Sequence, residues 1–491
     1  MKVLKKILKK NESKTVHASS ASSANVQLAD PDNIPAWEMV ANRYQFGVNI
    51  GSWFCLERWL TGSMYVGNGD SELDAVTGAV QILGTDKAKK KFEDHWRGFM
   101  SGEDWQWLAD NGFNSVRVPF GYWTLGGDYL SATPFEPYKE VYANAWSIYK
   151  RCVIERAADY GISVLVDLHG VYGGANGDIH SGTSSGTAAF YSNSSMCRTI
   201  ESLGFIAEEL KPYVSRGYIA GLQVINEPQY GKSLESFYDQ CLQRIHGIDS
   251  TLQVVIADSW DPQRYRGFAQ NRINVTVDTH YYRTFSDDDH KLSPQAIIDS
   301  TGIDADTDVI VGEYSCVMDE NTTWKRVDAG QRQNLVNAFG QKQFDVFRRS
   351  TAGSYFWTYR MDWMPGGEWG IKQMVMQGAI PSARQPDSKV SDTSRTAKCQ
   401  EMLATHANYW NQTSPGESME HWRFEKGFMR GWSDAAAYWK FNKSVIGNRR
   451  RYRLDRLSRH VGECGTSKYL WEFEHGYNQG REALEKSLNA I

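Results

Sequence analysis

Gly221 to Gln229 reads GLQVINEPQ, an apolar and β-branched run that stops abruptly at Asn226-Glu227-Pro228. Proline cannot donate to a sheet ladder, so a strand running into it must end there. Glu227 is thereby expected at the strand's C-terminal tip. The strand to which it belongs, IAGLQVINE (219–227), is one of eight similar stretches. The others are FGVNIGSWF (46–54), NSVRVPF (114–120), ISVLVDLHG (162–170), QVVIADSW (253–260), INVTVDTHYY (273–282), VIVGEYS (309–315) and GSYFWTYR (353–360). Longer amphipathic runs lie between them, such as 140–161, which ends on a glycine suited to cap a helix. Apolar strands alternating with helices imply parallel pairing under a helical cover. Eight such units predict an α/β fold of the closed (β/α)8 TIM barrel type. An open doubly wound sheet would want a Gly-rich phosphate turn after the first strand, and GVNIGSW is a poor match to one.

Around this core the sequence suggests three segments. Residues 1–32 read as a basic, Ser-rich disordered tail, 33–405 as the barrel, and 406–491 as a helical, aromatic-rich extension packed on the barrel. A long insert, 61–98, follows the first strand, and 382–398 reads as an exposed loop. The run NRRRYRLDR (448–456) is expected to be a solvated face. The balance of 54 basic and 58 acidic residues, net -4, argues against a nucleic-acid partner. Seven dispersed cysteines read as reduced thiols, not a disulfide framework. No secretory signal and no bilayer-spanning segment is recognisable, which favours a cytoplasmic protein. Val3, Leu4, Ile7 and Leu8 would share one helical face opposite lysines, leaving open a weak membrane-surface contact or a mitochondrial presequence. No obligate protein partner is indicated.

Active sites of such barrels are built at the C-terminal ends of the strands. There the sequence places Arg117, His169, Asn226, Glu227, His280, Tyr282, Glu313 and Trp357. Each has a bland account alone: a histidine satisfied by backbone, a structural ion pair, a barrel plug, a turn. Repeated at one rim, they are hard to explain as core packing. Two carboxylates on opposite sides of a bond are what glycosidic cleavage needs: one protonates the departing oxygen, the other attacks the anomeric carbon or activates water. Strands four and seven lie across the mouth from each other, so Glu227 and Glu313 would face across a sugar. Arg117 and Tyr282 would bond and aim Glu313, Asn226 would meet a substrate hydroxyl, and Trp357 would floor the pocket. A rival metal site built from His169, His280 and the carboxylates lacks HExxH or HxH spacing. A serine hydrolase elbow, GxSxG, is missing.

At VRVPFGYW, VDLHG, VINEP, DTHYY, VGEYS and YFWTYR, in that order, the sequence resembles glycoside hydrolase family 5, a retaining group of barrel enzymes. That resemblance implies Glu227 as acid/base and Glu313 as nucleophile, with Arg117, His169, Asn226, His280, Tyr282 and Trp357 in support and no metal or organic cofactor. Within the family it is most similar to fungal exo-β-1,3-glucanases and to an intracellular fungal branch. Glu57 matches the residue that grips the terminal glucose, and Phe285 one half of an aromatic clamp. Where secreted glucanases carry Phe-Asp-Asn in the third loop, this chain has Asp178, Ile179 and His180. The resemblance implies a β-glucoside or β-glucan oligosaccharide substrate with exo action on terminal β-linked glucose. The alternatives are a glucosyl-lipid (steryl glucoside or glucosylceramide) β-glucosidase and a catalytically silent carbohydrate-binding protein.

Overall fold

The computed structural model describes residues 27–488, apart from 271, 304–306, 383, 387, 389 and 391. Eight parallel strands close into a barrel in sequence order: β1 (Gln45–Asn49), β2 (Ser115–Gly121), β3 (Ser163–Gly170), β4 (Ile219–Gln223), β5 (Val254–Ala257), β6 (Val275–Tyr281), β7 (Val309–Tyr314) and β8 (Gly353–Phe356). β8 returns to β1 with Gln45 beside Gly353 and Val48 beside Phe356. The expected (β/α)8 barrel is therefore the fold. β1, β4, β5 and β8 end several residues earlier than their apolar runs. Past three of these ends the backbone turns into the left-handed region, at Ser52 (φ 59°), Glu227 (φ 41°), and Ser259 and Trp260 (φ 48° and 63°). Such residues cannot continue an extended strand. The apolar residues beyond them stay buried in rim loops instead of in the sheet. The expected helix 140–161 is interrupted, with short α-helical pieces around a π-helical stretch, Lys150–Glu155.

The insert after β1 folds as two helices, Glu72–Leu83 and Thr85–Gly98. Phe92 and Trp96 of the second are fully buried, and Trp96 stacks on Phe54 with ring centroids 5.7 Å apart. Glu72, itself buried, accepts from the Leu56 backbone N–H (2.8 Å) and the Tyr142 hydroxyl (2.9 Å). The insert thus props the loop that carries Glu57.

Four helices follow the barrel: α1 (Asp392–Thr413), α2 (His421–Lys440), α3 (Arg449–Cys464) and α4 (Leu470–Ser487). α2 and α4 carry one motif twice, WRFEKGFMRG (422–431) and WEFEHGYNQG (471–480). The repeats pack reciprocally. A Cβ on Gly427 or Gly431 would lie 2.1 or 2.0 Å from the carbonyl oxygens of Phe473 and Tyr477. One on Gly476 or Gly480 would lie 2.0 Å from those of Phe424 and Phe428. The flanking helices obey the same pseudo-symmetry. His406 of α1 stacks on Phe424 and bonds Glu472 (2.9 Å), while His460 of α3 stacks on Phe473 and bonds Arg423 (2.7 Å).

This extension plugs the end of the barrel where the strands begin. Tyr44 donates its backbone N–H to Val445 (2.7 Å), Gly447 to Asn42 (2.8 Å), and the Asn448 amide to Ala41 (3.1 Å). The basic run is not a solvated face. Asp308 accepts from the backbone N–H groups of Arg450 and Arg451 (3.0 and 2.9 Å), and Arg449 donates to the Arg348 carbonyl (2.7 Å). Arg456 is buried in a two-bond pair with Asp434 (2.9 and 3.0 Å). Sequence pattern could not distinguish arginines that bond backbone carbonyls of another segment from arginines in water.

Of the expected tail, residues 1–26, including the lysine-rich face, lie outside the described residues. Its described end is packed: Leu28 is buried and Ala29 donates to Glu38 (2.9 Å). All seven cysteines are free thiols. Among the described residues no helix is long and apolar enough to cross a membrane.

Gly476→Ala should destabilise the protein, because a methyl there meets backbone and not a side chain that can rotate away. Overpacking of this kind costs about 1–3 kcal/mol. Urea unfolding would measure it, and a midpoint unchanged from wild type would contradict the reciprocal glycine contact.

Candidate active site

Arg117 stands at the centre of the barrel mouth, fully buried on β2. Its guanidinium donates to Asn49 Oδ1 of β1 (2.9 Å), Gln223 Oε1 of β4 (2.9 Å), Asn226 Oδ1 (2.6 Å) and Glu313 Oε1 of β7 (2.8 Å). Asp167 of β3 lies 3.0 Å away. Burial alone would lower the arginine's pKa, but the surrounding Asp167, Glu313 and Asp278 charges raise it, so the guanidinium stays charged. Tyr282 donates to the other Glu313 oxygen, Oε2, at 2.8 Å. Both oxygens of Glu313 are thus aimed from opposite sides.

β3 and β6 each end in Asp-x-His. Residues two apart on a strand share a face, so each aspartate sits directly below its histidine. Asp167 Oδ2 is 2.8 Å from His169 Nδ1, and Asp278 Oδ2 is 3.1 Å from His280 Nε2. The outer nitrogen of His280, Nδ1, reaches Glu227 Oε1 (2.6 Å) and lies 3.5 Å from Glu313 Oε2. Burial would lower the His280 pKa, yet the Glu313 and Asp278 charges carry it well above the ordinary histidine value. Space for Asp278 is made by Gly312, whose Cβ would fall 2.1 Å from Asp278 Oδ1. The Gly312 N–H instead donates to that oxygen at 2.7 Å.

Glu227 lies beyond the end of β4 in the left-handed turn. One oxygen of Glu227, one of Glu313 and a ring nitrogen of His280 lie within 4.8 Å of one another. Burial alone would raise the Glu227 pKa, but hydrogen bonds from His180 and His280 hold it well below the usual carboxylate range. Glu57 is buried at the other end, bonded by the Trp59 indole N–H (2.8 Å). Its carboxyl is pushed up to about 7, by burial first, against the opposing His180 charge and Trp59 bond.

These groups surround a cavity of about 380 Å³, within the range of small-ligand sites. It is lined by Glu57, Trp59, His169, His180, Asn226, Glu227, Tyr282, Phe285, Glu313, Trp357 and Trp369. Of the ten residues expected from sequence, eight line the cavity. Arg117 and His280 are absent from the lining and act through the two glutamates that they bond. Trp357 packs on Leu60 and Met361. Phe285 is exposed at the mouth, its ring centroid 5.4 Å from that of Tyr282 and 6.4 Å from that of Trp369. Trp59, Trp369, Asp167, Asp278, Asn49 and Gln223 were not singled out by sequence. The doubled Asp-x-His was the available signal for the two aspartates; nothing marked Trp369 or Gln223.

Two carboxylates opposed across the C-terminal mouth of a (β/α)8 barrel, with an aromatic floor, define a glycoside hydrolase. Residues 82–360 match the family model "Cellulase (glycosyl hydrolase family 5)", and residues 391–488 match "Glucan 1,3-beta-glucosidase 3 C-terminal domain". The chain belongs to glycosyl hydrolase family 5. It is 33% identical over 460 residues to glucan 1,3-beta-glucosidase 3 of Schizosaccharomyces pombe, covering 90% of this chain and 96% of that protein. An uncharacterized glycosyl hydrolase of Saccharomyces cerevisiae is 32% identical over 471 residues, covering 90% and 91%. The rutinosidase from Aspergillus niger shares the fold, with a TM-score of 0.56 at 18% identity over 70% of this chain and 98% of that one.

Two outcomes follow from the geometry. Gly312→Ala should displace Asp278 and draw His280 off Glu227, lowering thermal stability; a crystal structure of the variant with the His280–Glu227 bond intact would contradict this. Glu57 has a folded pKa near 7, above its unfolded value of 4.5. A raised folded pKa means the favourable contribution is full below 4.5 and lost as pH rises through about 7. Glu57→Gln should therefore unfold at a higher temperature than wild type at pH 8, with the gain shrinking toward pH 4.5. A gain independent of pH would place its origin elsewhere.

Proposed function

We propose that this enzyme is a retaining β-glucosidase that removes terminal β-linked glucose, as from β-1,3-glucan fragments, with Glu313 as nucleophile and Glu227 as acid/base. The observation that carries the reading is the close approach of Glu227 and Glu313, whose nearest atoms lie within 4.8 Å together with His280. Retaining enzymes hold their carboxyls about 5–5.5 Å apart, whereas inverting ones leave about 6.5–9.5 Å for a water. The relatives named glucan 1,3-beta-glucosidase support the substrate class.

In the first step Glu313 attacks the anomeric carbon as the bond to the leaving oxygen breaks, and Glu227 protonates that oxygen. In the second, Glu227 takes a proton from water as it displaces Glu313. Arg117, which does not line the cavity, and Tyr282, which does, keep the Glu313 oxygens aimed. Exo action is supported by the wall at one end of the cavity, where the Trp363 indole donates to the Trp59 carbonyl (2.7 Å) and Glu57 lies buried. A chain threaded past that wall would have to displace it. Laminaritetraose should release glucose one unit at a time; laminaribiose as the first product would refute exo cleavage. Glu313→Ala should abolish turnover, and a 2-deoxy-2-fluoroglucoside should label Glu313 in wild type. Glu227→Ala should lose about 10²–10⁴-fold on substrates with poor leaving groups and much less on activated aryl glucosides. Label found on any other residue would overturn the nucleophile assignment.

A second reading, cleavage of glucose from an apolar aglycone such as a sterol, is favoured by the exposed aromatics Trp260 (62% exposed) and Phe285 (67%) near the mouth. Comparing kcat/KM for a steryl β-glucoside and laminaribiose separates the two.

A further inference from the structure

His180 belongs to neither Asp-x-His unit, yet it links His169 of one to Glu227, which His280 of the other bonds. It sits in a short turn, Ile179–Ser181, after β3. Its Nδ1 is 3.1 Å from His169 Nε2, and its Nε2 is 3.4 Å from Glu227 Oε2 and 3.8 Å from Asp178 Oδ2. The turn is tied to Glu227 itself. Asn176 donates to the Glu227 carbonyl (3.0 Å) while its own side-chain oxygen accepts from Ser181 (2.8 Å). The Cys55 thiol donates to the His180 carbonyl (3.2 Å).

The bonds assign the protons. His169 Nδ1 faces the Asp167 carboxylate and so carries a hydrogen. Burial lowers the His169 pKa, which leaves the ring neutral and its Nε2 bare. That bare nitrogen accepts from the Asn226 amide (3.2 Å) and from His180 Nδ1. With His180 Nδ1 donating to it, the His180 nitrogen that gains and loses a proton is Nε2, which faces Glu227. With one proton between them, the pair is either imidazolium against carboxylate or imidazole against carboxylic acid. Glu57, Glu227, Glu313 and Asp178 bear on this proton from one side; His169, the Arg117 charge behind it, and His280 bear from the other.

We propose that His180 stores on Nε2 the proton that Glu227 delivers to the departing glycosidic oxygen, so that the acid of this site is a His180–Glu227 pair. The proposal rests on Glu227 being the acid/base. Burial would lower the His180 pKa, but its Glu227 bond and the nearby carboxylate charges raise it to about 9. With Glu227 held low, the resting proton belongs to the histidine, and a lone ionised Glu227 could protonate nothing. In the first step the electron pair of the breaking C–O bond goes to the leaving oxygen. That oxygen takes a proton from Glu227, and Glu227 takes one from His180 Nε2. In the second step a proton of the attacking water passes to Glu227 and on to His180, while the electron pair of the glycosyl–Glu313 bond returns to Glu313. The relay ends as it began. His180 acts through Glu227 and is a positioning residue for its proton.

Two measurements on the full chain test this. With ¹³C-labelled histidine, NMR should show a ring that titrates near pH 9 in wild type, is lost in His180→Gln, and falls by about one unit or more in Glu227→Gln. This needs no substrate; a His180 titration near its ordinary value in wild type would overturn the pair. In kinetics, His180→Gln should move the alkaline limb of kcat/KM down by about one pH unit or more. Its loss on an alkyl β-glucoside should exceed its loss on the 2,4-dinitrophenyl β-glucoside by about tenfold or more. An unchanged limb, or equal losses on both substrates, would mean that His180 only holds the loop. His180→Asn serves as a second variant if the glutamine variant folds poorly. No turnover of any β-glucoside by wild type sinks the proposed function, whereas normal turnover with an unmoved limb sinks the relay alone.

Discussion

The buried Arg117 guanidinium is the interaction on which the rest of the site depends. From β2 it binds groups on or just beyond β1, β3, β4 and β7, and so fixes the spacing of strands that otherwise touch only their neighbours. A charge taken this far from water is tolerable only if its partners stay in place; removing one partner of such a cluster typically costs about 3–5 kcal/mol. The same contacts that satisfy the arginine orient Glu313 and Asn226. Stability and catalytic geometry are therefore one network here. Gly312 illustrates the coupling: the residue before Glu313 has no side chain because the carboxylate under His280 occupies that space.

The two ends of the barrel are used differently. At the strand starts, the duplicated helical extension closes the bottom through backbone hydrogen bonds and the arginines of α3. Among the described residues it contributes none to the cavity. At the strand ends, the insert after β1 supports the loop of Glu57 and Trp59, while the turn after β3 brings His180 against Glu227. Conservation of fold at the bottom and of chemistry at the top is the usual division of labour in this architecture.

Much of this was legible from the chain. Apolar runs of strand length, spaced by amphipathic segments, were enough for eight parallel strands under a helical cover, and their number and the missing Gly-rich phosphate turn pointed to closure. Polar residues at the ends of those runs were enough for Arg117, His169, Asn226, Glu227, His280, Tyr282, Glu313 and Trp357, because a strand tip is the one place where a buried strand can meet a ligand. The ends of β1, β4, β5 and β8 were misjudged for the same reason: rim loops packed under neighbouring loops are as apolar as strands. The arginines at 449–451 were misread because their acceptors, backbone carbonyls, the Asp308 carboxylate and the Asn42 side-chain oxygen, belong to segments distant in sequence.

What the sequence determined by itself is the period of burial and the chemical identity of each strand tip, both set by local pattern. What only the tertiary structure decided is adjacency across loops. His180 looked like a departure in an irregular loop; the fold brings it within reach of Glu227 and His169. The reciprocal glycines of α2 and α4 became meaningful only once the two helices crossed. Proton sharing, charge balance and helix crossing depend on distances of a few ångströms between residues far apart in the chain, and no local pattern carries those distances.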